Sequence, residues 1–238
     1  MRSDPRLQRQ YFDYAPHRYS AAFLLSPPLA QKLELVHLER TLHLRPGVRI
    51  IDFGCGSGRV ALYFLALGFD VIGVDVSPVS LADLKTFYFR HRQPGWGKLA
   101  LMSRLPASPV ADAVVGADIL HHVDIRLLLP RVFSALRPGG TIAFSEPNAF
   151  YPLWYAHYLA NRIPWAVEKG ILQCTPSNLK TQFLKAGFSR VNISGHGLFP
   201  TRLLSSLPAA CRSNALGVSR FPYLAPFSFR LIIRADKQ

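Results

Sequence analysis

The stretch Ile50-Ile51-Asp52-Phe53-Gly54-Cys55-Gly56-Ser57-Gly58-Arg59 constrains this chain more than any other. An apolar run suited to a buried strand leads straight into three glycines at alternate positions, and a helix is expected from Arg59 to Leu67. Without Cβ atoms the loop can turn sharply and let a ligand lie against backbone. The following helix offers unpaired N–H groups and the positive end of its dipole. In an open α/β sheet this is the carboxyl-end crevice where ligands bind.

Around this loop the pattern alternates strand and helix. Strands are expected at Val48–Phe53, Val71–Val74, Leu99–Met102, about Ala113–Val115 and Thr141–Ser145. Helices fall at Leu81–Arg92 and about Ile125–Leu136, with Arg137-Pro138-Gly139-Gly140 as a turn. Such β-α-β alternation implies a mostly parallel, doubly wound sheet with helices on both faces. Thr175-Pro176 reads as the start of a further helix, with Gly187 after its end. Strands at Phe188–Ser194 and Phe227–Ile233 complete seven, joined by a Leu/Pro-rich connection. The last lacks a helical crossover of its own and is expected to pair antiparallel.

One domain accommodates all 238 residues. Residues 1–47 form an N-terminal helical cap, with a helix from Pro27-Pro28 to about His43 whose apolar side is Leu33, Val36 and Leu38. Residues 48–148 form the ligand-binding core. Residues 149–170 form a helical insertion rich in aromatics, and residues 171–238 the last helix and two strands.

The second strand ends in Gly73-Val74-Asp75, and Asp75 falls 21 residues after Gly54. At that spacing an acid can accept both ribose hydroxyls of a bound nucleoside; capping of the next helix together with Ser77 is the structural alternative. A dinucleotide site is the rival ligand. Its G-x-G-x-x-G fingerprint needs a third glycine where this chain has Arg59, and Gly58 comes one residue early.

These residues resemble the class I S-adenosylmethionine-dependent methyltransferases. Asp52 to Gly58 is similar to the first motif of that family, and Gly73-Val74-Asp75-Val76-Ser77 to its ribose-binding strand end. Val110-Ala111-Asp112-Ala113-Val114 resembles the fourth-strand motif, followed by Ile119-Leu120-His121-His122-Val123. Leu136 to Glu146 is similar to the turn and fifth strand. The resemblance covers Val48 to about Asn148 well and the remainder more loosely. It implies a Rossmann-like sheet of seven strands, the last antiparallel, with S-adenosylmethionine as cofactor and no metal. It implies that Gly54, Cys55, Gly56 and Gly58 admit the methionine part, and that Asp52 organises the loop and, through water, the amino group. Asp75 would hold the ribose, Val76 would lie against the adenine, and Ala117 and Asp118 near the methionine. Family members often carry an acid before a Leu-Pro pair to bind the adenine amino group. Here the stretch is Ser103-Arg104-Leu105-Pro106, which leaves Ser103 or backbone for that contact.

Methyl transfer from a sulfonium needs proximity and in-line alignment above all. A general base is needed only for an acceptor protonated at working pH. His121 and His122 are the candidates by position, against the plainer expectation that both belong to the start of the next helix. His17, His157 and His196 are weaker candidates. Glu146 ends the fifth strand, where it could face an acceptor or cap the insertion. Cys55 reads as a packing residue, not a nucleophile.

For the acceptor, Ala149–Val167 and the Gln10–Phe23 segment stand out. Trp154 and Tyr158 share a helical row with Phe150, beside a second row of Tyr151, Tyr155 and Leu159. With Tyr11, Tyr14 and Tyr19 they suggest a site for a small-molecule or lipid-like acceptor. Packing on the sheet is the alternative for both rows. Formal net charge is +14, from 28 Lys+Arg against 14 Asp+Glu. This leaves peripheral membrane contact open, with Arg162 near the insertion. Nucleic acid is a weaker expectation, since the arginines are scattered and no RNA-binding module or asparagine-proline tetrapeptide is present. A non-catalytic cofactor-binding protein is a third reading. Three widely spaced cysteines indicate neither a disulfide framework nor a metal knuckle. With a polar N-terminus and no membrane-length apolar run, a cytoplasmic setting is expected.

Overall fold

The computed structural model describes Gln10, Asp13 and residues 19–200, 204, 206–219 and 221–238. Its seven strands are β1 Arg49–Phe53, β2 Asp70–Val74, β3 Leu99–Met102, β4 Ala111–Ala117, β5 Leu136–Pro147, β6 Ser189–His196 and β7 Arg230–Asp236. They form one sheet in the order β3-β2-β1-β4-β5-β7-β6. The first five run parallel, while β7 lies antiparallel between β5 and β6. The helices are α1 Ala21–Leu25, α2 Leu29–Leu42, α3 Arg59–Ala66, α4 Pro78–His91, α5 Ile125–Ala135, α6 Leu153–Ala160, α7 Trp165–Glu168, α8 Pro176–Lys185 and α9 Pro208–Ser219.

The period-two alternation of buried strands decides what each face holds. Ile50, Val71, Ala113, Val115, Ala143 and Ile232 pack toward α2, α3 and α4, in a cluster with Leu38, Phe64, Leu65 and Leu84. Ile51, Val114, Ile142, Phe144 and Ile233 face the other way, onto Leu129 and Val132 of α5 and Phe183 of α8. Both faces of the central strands are buried, so those strands read as largely apolar runs. The polar ends of the strands are left to make the site.

Four expectations need correction. The apolar side of α2 is Leu35, Leu38 and Leu42 with a buried Glu34, rather than Leu33 and Val36. The insertion is two helices, because the chain turns at Asn161–Pro164, where Arg162 is left-handed and Pro164 sets the start of α7. The seventh strand starts at Arg230, since Pro222–Phe227 is a 3₁₀ turn. The connection before it carries α9. The antiparallel pairing of β7 therefore does not come from the lack of a helix. It comes from β7 returning between β5 and β6.

Candidate active site

The glycine loop lies at the carboxyl edge of β1, as its sequence requires. Gly54, Gly56 and Gly58 have φ of 74°, 50° and 107°, the left-handed region that favours glycine. Their surroundings differ. A Cβ at Gly54 would meet Ile119 at 2.5 Å and one at Gly58 would meet Leu84 at 2.5 Å, so these two serve packing. At Gly56 a Cβ would meet nothing within 4 Å. That face of the loop is open to a ligand.

Asp75 follows β2 and holds the loop from the other side. Its Oδ2 accepts from the Gly56 N–H at 2.8 Å and its Oδ1 from the Ser77 N–H at 2.9 Å. Burial raises its pKa against these donors. Ser77, rather than Asp75, caps α4, and its hydroxyl pairs with Asp13. Each Asp75 oxygen keeps acceptor capacity beyond its one N–H. Val76 is exposed beside it, as are Ser103 and Arg104 beyond β3.

Asp52 is the unusual member. It is 1% exposed, and among the described residues neither oxygen has a hydrogen-bond partner of ordinary geometry. Burial pushes its pKa up to about 7, against partial relief from the Ala61 N–H and Arg59. A buried carboxylate without partners is costly. Its place beneath the loop suits a cationic ligand overhead.

Four charged side chains close a ring next to the loop. Asp118 sits at the end of β4 with φ 59°, a conformation Asp tolerates. It accepts from Arg59 Nη2 and Arg230 Nη2, both at 2.6 Å. Glu34 of α2 completes the ring, 3.1 Å from Arg230 Nε and 3.8 Å from Arg59 Nη1, and accepts from the Ser145 hydroxyl at 2.7 Å. Burial works against both acids, but the two arginines outweigh it and hold Asp118 and Glu34 below the usual carboxylate range. Sequence reading missed Glu34, Arg59 and Arg230 as site residues. The available signals were an acid within the buried side of α2 and an arginine in place of a third loop glycine.

Glu146 is fully buried, and both of its oxygens face the turn after β4. Oε1 accepts from the N–H groups of Ile119 (2.9 Å) and Leu120 (2.8 Å), and Oε2 from His121 Nδ1 at 2.7 Å. It therefore braces this turn and neither faces an acceptor nor caps the insertion. The other ring nitrogen of His121 lies 3.4 Å from Glu168 Oε2. Burial alone would lower the pKa of His121, but the two carboxylates hold it at about 10, so it keeps its proton near neutrality and is no general base in this state. Burial, then the charge of His121, pushes His122 well below 6.5.

The insertion supplies an aromatic wall. Trp154 stacks on Phe229 with ring centroids 4.3 Å apart, and its Nε1 donates to the Phe229 carbonyl at 2.8 Å. The Arg230 guanidinium lies 5.9 Å from the Trp154 ring centroid. Tyr158 is buried, so it and Trp154 are anchored rather than a loose cover; Phe150 precedes α6 and does not share their row. Phe150, Leu153, Leu159 and Trp165 remain exposed. Tyr19 is part-exposed, stacks on Phe23 at 4.5 Å and has the Arg59 guanidinium 5.9 Å from its ring centroid. Tyr11 and Tyr14 lie outside the described residues.

With this geometry in place, comparison with known proteins gives the family. The model of a methyltransferase domain matches residues 12–193, and the chain belongs to that family. Its sheet is the Rossmann-like one of the S-adenosylmethionine-dependent methyltransferases. The ubiquinone biosynthesis O-methyltransferase of Nitrobacter winogradskyi is 27% identical over 66% of this chain and 62% of its own length. The match to this relative thus spans about three-fifths of its length. The protein of the same description from Aromatoleum aromaticum is 26% identical over 87% of this chain and 92% of its own. A phosphoethanolamine N-methyltransferase 2 from Haemonchus contortus, solved with phosphomonomethylethanolamine and S-adenosylhomocysteine, superposes with a TM-score of 0.63. It is 15% identical over 96% of this chain and 59% of its own, a likeness of fold. The orphaned Asp52 carboxylate and the open face of Gly56 fit S-adenosylmethionine, whose sulfonium and ammonium are cationic.

Proposed function

We propose that this chain transfers a methyl group to a hydroxyl on a small, largely apolar acceptor with a lipid-like portion. The carrying observation is the anchored Trp154–Phe229 stack beside the Arg230–Asp118 pair. It sets an apolar wall next to a polar corner at the carboxyl edge of the sheet. The relatives described as ubiquinone biosynthesis O-methyltransferases support an acceptor of this chemistry.

In this reading Gly56 lets the cofactor lie against backbone, the packed Gly54 and Gly58 set the loop's path on either side, and Asp52 balances the cofactor's cationic end. Asp75 orders the loop through Gly56 and accepts from the ribose. Val76 and Ser103 border the adenine, and Ala117 and Asp118 flank the methionine. The cofactor supplies an electrophilic methyl carbon. The chain supplies alignment, with Trp154 and Tyr158 holding the acceptor and Tyr19 covering from the N-terminal side. No helix among the described residues is long and apolar enough to cross a membrane. The exposed Phe150, Leu153, Leu159 and Trp165 offer a route by which a lipid-like acceptor arrives.

The +14 charge favours RNA as a second reading. Incubation with methyl-labelled S-adenosylmethionine and separate pools of isoprenoid-tailed phenols, short hydroxylated compounds and RNA tests it. Label in the tailed phenols is expected. Label in RNA, or in no pool, would contradict the proposal.

A further inference from the structure

We infer that His121, His122 and Glu168 form a binding site for one divalent transition-metal ion. One ligand atom from each of the three lies within 4.8 Å of the others, and all three residues are buried. The separation of His121 Nε2 from Glu168 Oε2, 3.4 Å, matches two adjacent ligands on a cation with bonds of about 2.0–2.2 Å. Two imidazoles and one carboxylate suit Zn²⁺, Co²⁺ or Fe²⁺ over Mg²⁺ or Ca²⁺, and they leave coordination positions open.

A second observation concerns how the ligands are held. His121 gives its other nitrogen to Glu146 at 2.7 Å, and Glu146 is itself fixed by the Ile119 and Leu120 N–H groups. A carboxylate behind a ligating histidine fixes its ring and tautomer. Glu168 is brought in by an equally fixed turn. The Lys169–Gln173 turn lies so close to His121 that a Cβ at Gly170 would fall 1.7 Å from the His121 carbonyl oxygen. Gln173 Nε2 then donates to the carbonyls of Leu120 and Val123 at 3.0 and 2.9 Å. The ligand set thus joins two segments 46 residues apart in sequence, which is why spacing alone gave no metal pattern.

The catalytic consequence rests on the O-methylation proposed above. The site starts three residues past Asp118 on the sheet's carboxyl edge. A hydroxyl oxygen at an open position loses its proton to solvent more easily. The O–C bond then forms as the S–C bond breaks, without a side-chain base.

The test is a Co²⁺ titration of the full-length, metal-stripped chain, followed through its visible d–d bands. One equivalent per chain is expected, and Glu168→Gln and His122→Ala should each weaken it at least tenfold. Both variants should keep the wild-type affinity for S-adenosylmethionine by calorimetry. Absence of a stoichiometric site in the wild type would overturn the inference whatever the variants do. So would a folded Glu168→Gln variant that binds Co²⁺ as tightly as wild type. The readout is metal occupancy, so a failed acceptor assignment leaves the result interpretable.

Discussion

Arg230 Nη2 donates to Asp118 Oδ1 at 2.6 Å, joining the first residue of β7 to the residue after β4 across the intervening β5. Arg230 also reaches Glu34 of α2, so one side chain ties the N-terminal helix to the candidate site. Removing it leaves the buried Glu34 and the part-exposed Asp118 with Arg59 as their one remaining cation in the ring. Arg230→Met is expected to cost about 3–5 kcal/mol, the usual penalty for breaking a buried pair from one side. A chemical-denaturation midpoint close to that of wild type would contradict the ring's role.

Asp52 leads to a trade of stability for binding. Its folded pKa of about 7 lies above the ordinary 3.8, so between about pH 4 and pH 7 the folded chain keeps a proton that the unfolded chain has released. Stability from this group therefore falls as pH rises through that window and levels off above it. Asp52→Asn should flatten this slope and raise stability at pH 8 by on the order of 2–4 kcal/mol. It should also weaken S-adenosylmethionine binding. Wild-type affinity should rise with pH toward about 8 as the carboxylate forms, and the variant's should not. Denaturation and calorimetry at pH 5 and pH 8 measure both effects, and a less stable variant at pH 8 would refute the reading of Asp52.

Gly56 separates cofactor contact from packing. Its φ of 50° is costly for alanine by about 1–2 kcal/mol, yet a Cβ there meets no protein atom. Gly56→Ala should fold with a small loss of stability and lose cofactor affinity by about 100-fold or more, some 2.7 kcal/mol. Gly58→Ala should instead lose stability first, through Leu84 and Leu62. Thermal melts with and without S-adenosylmethionine distinguish the two. A ligand-induced shift equal to that of wild type in Gly56→Ala would remove the loop assignment.

Trp154 and Tyr158 are part of the structure as well as of the proposed acceptor wall. Trp154→Phe keeps an aromatic ring over Phe229 but removes the shorter of two bonds to the Phe229 carbonyl, leaving it the Asn148 N–H at 3.3 Å. A loss of about 1–2 kcal/mol is expected, with the KM for an apolar acceptor raised and cofactor affinity unchanged. Steady-state kinetics with a tailed phenol measure this. An unchanged KM would assign Trp154 to packing alone.

The glycine loop, Asp75 and the parallel core were legible in the sequence because backbone conformation and two-sided burial demand particular residue types at fixed spacing. The charged ring was not. Glu34, Arg59, Asp118 and Arg230 are far apart in the chain, and lone charges read as surface until the fold brings them together. Glu146 was recognised as ending β5, but the turn it braces is defined only by tertiary contact. The helix α9 was hidden in a Leu/Pro-rich stretch whose prolines, Pro208 aside, fall outside it. Pro222 and Pro226 belong to the 3₁₀ turn that follows.

The central claim is that the loop at Gly54–Gly58, with Asp52 and Asp75, binds S-adenosylmethionine. Isothermal titration of the wild-type chain with S-adenosylmethionine, and separately with NAD, tests it most directly. One equivalent of S-adenosylmethionine should bind, Asp75→Ala should weaken it by roughly 30- to 1000-fold, about 2–4 kcal/mol, and NAD should give no saturable heat. Saturable binding of NAD without binding of S-adenosylmethionine, or an Asp75→Ala affinity equal to that of wild type, would contradict it.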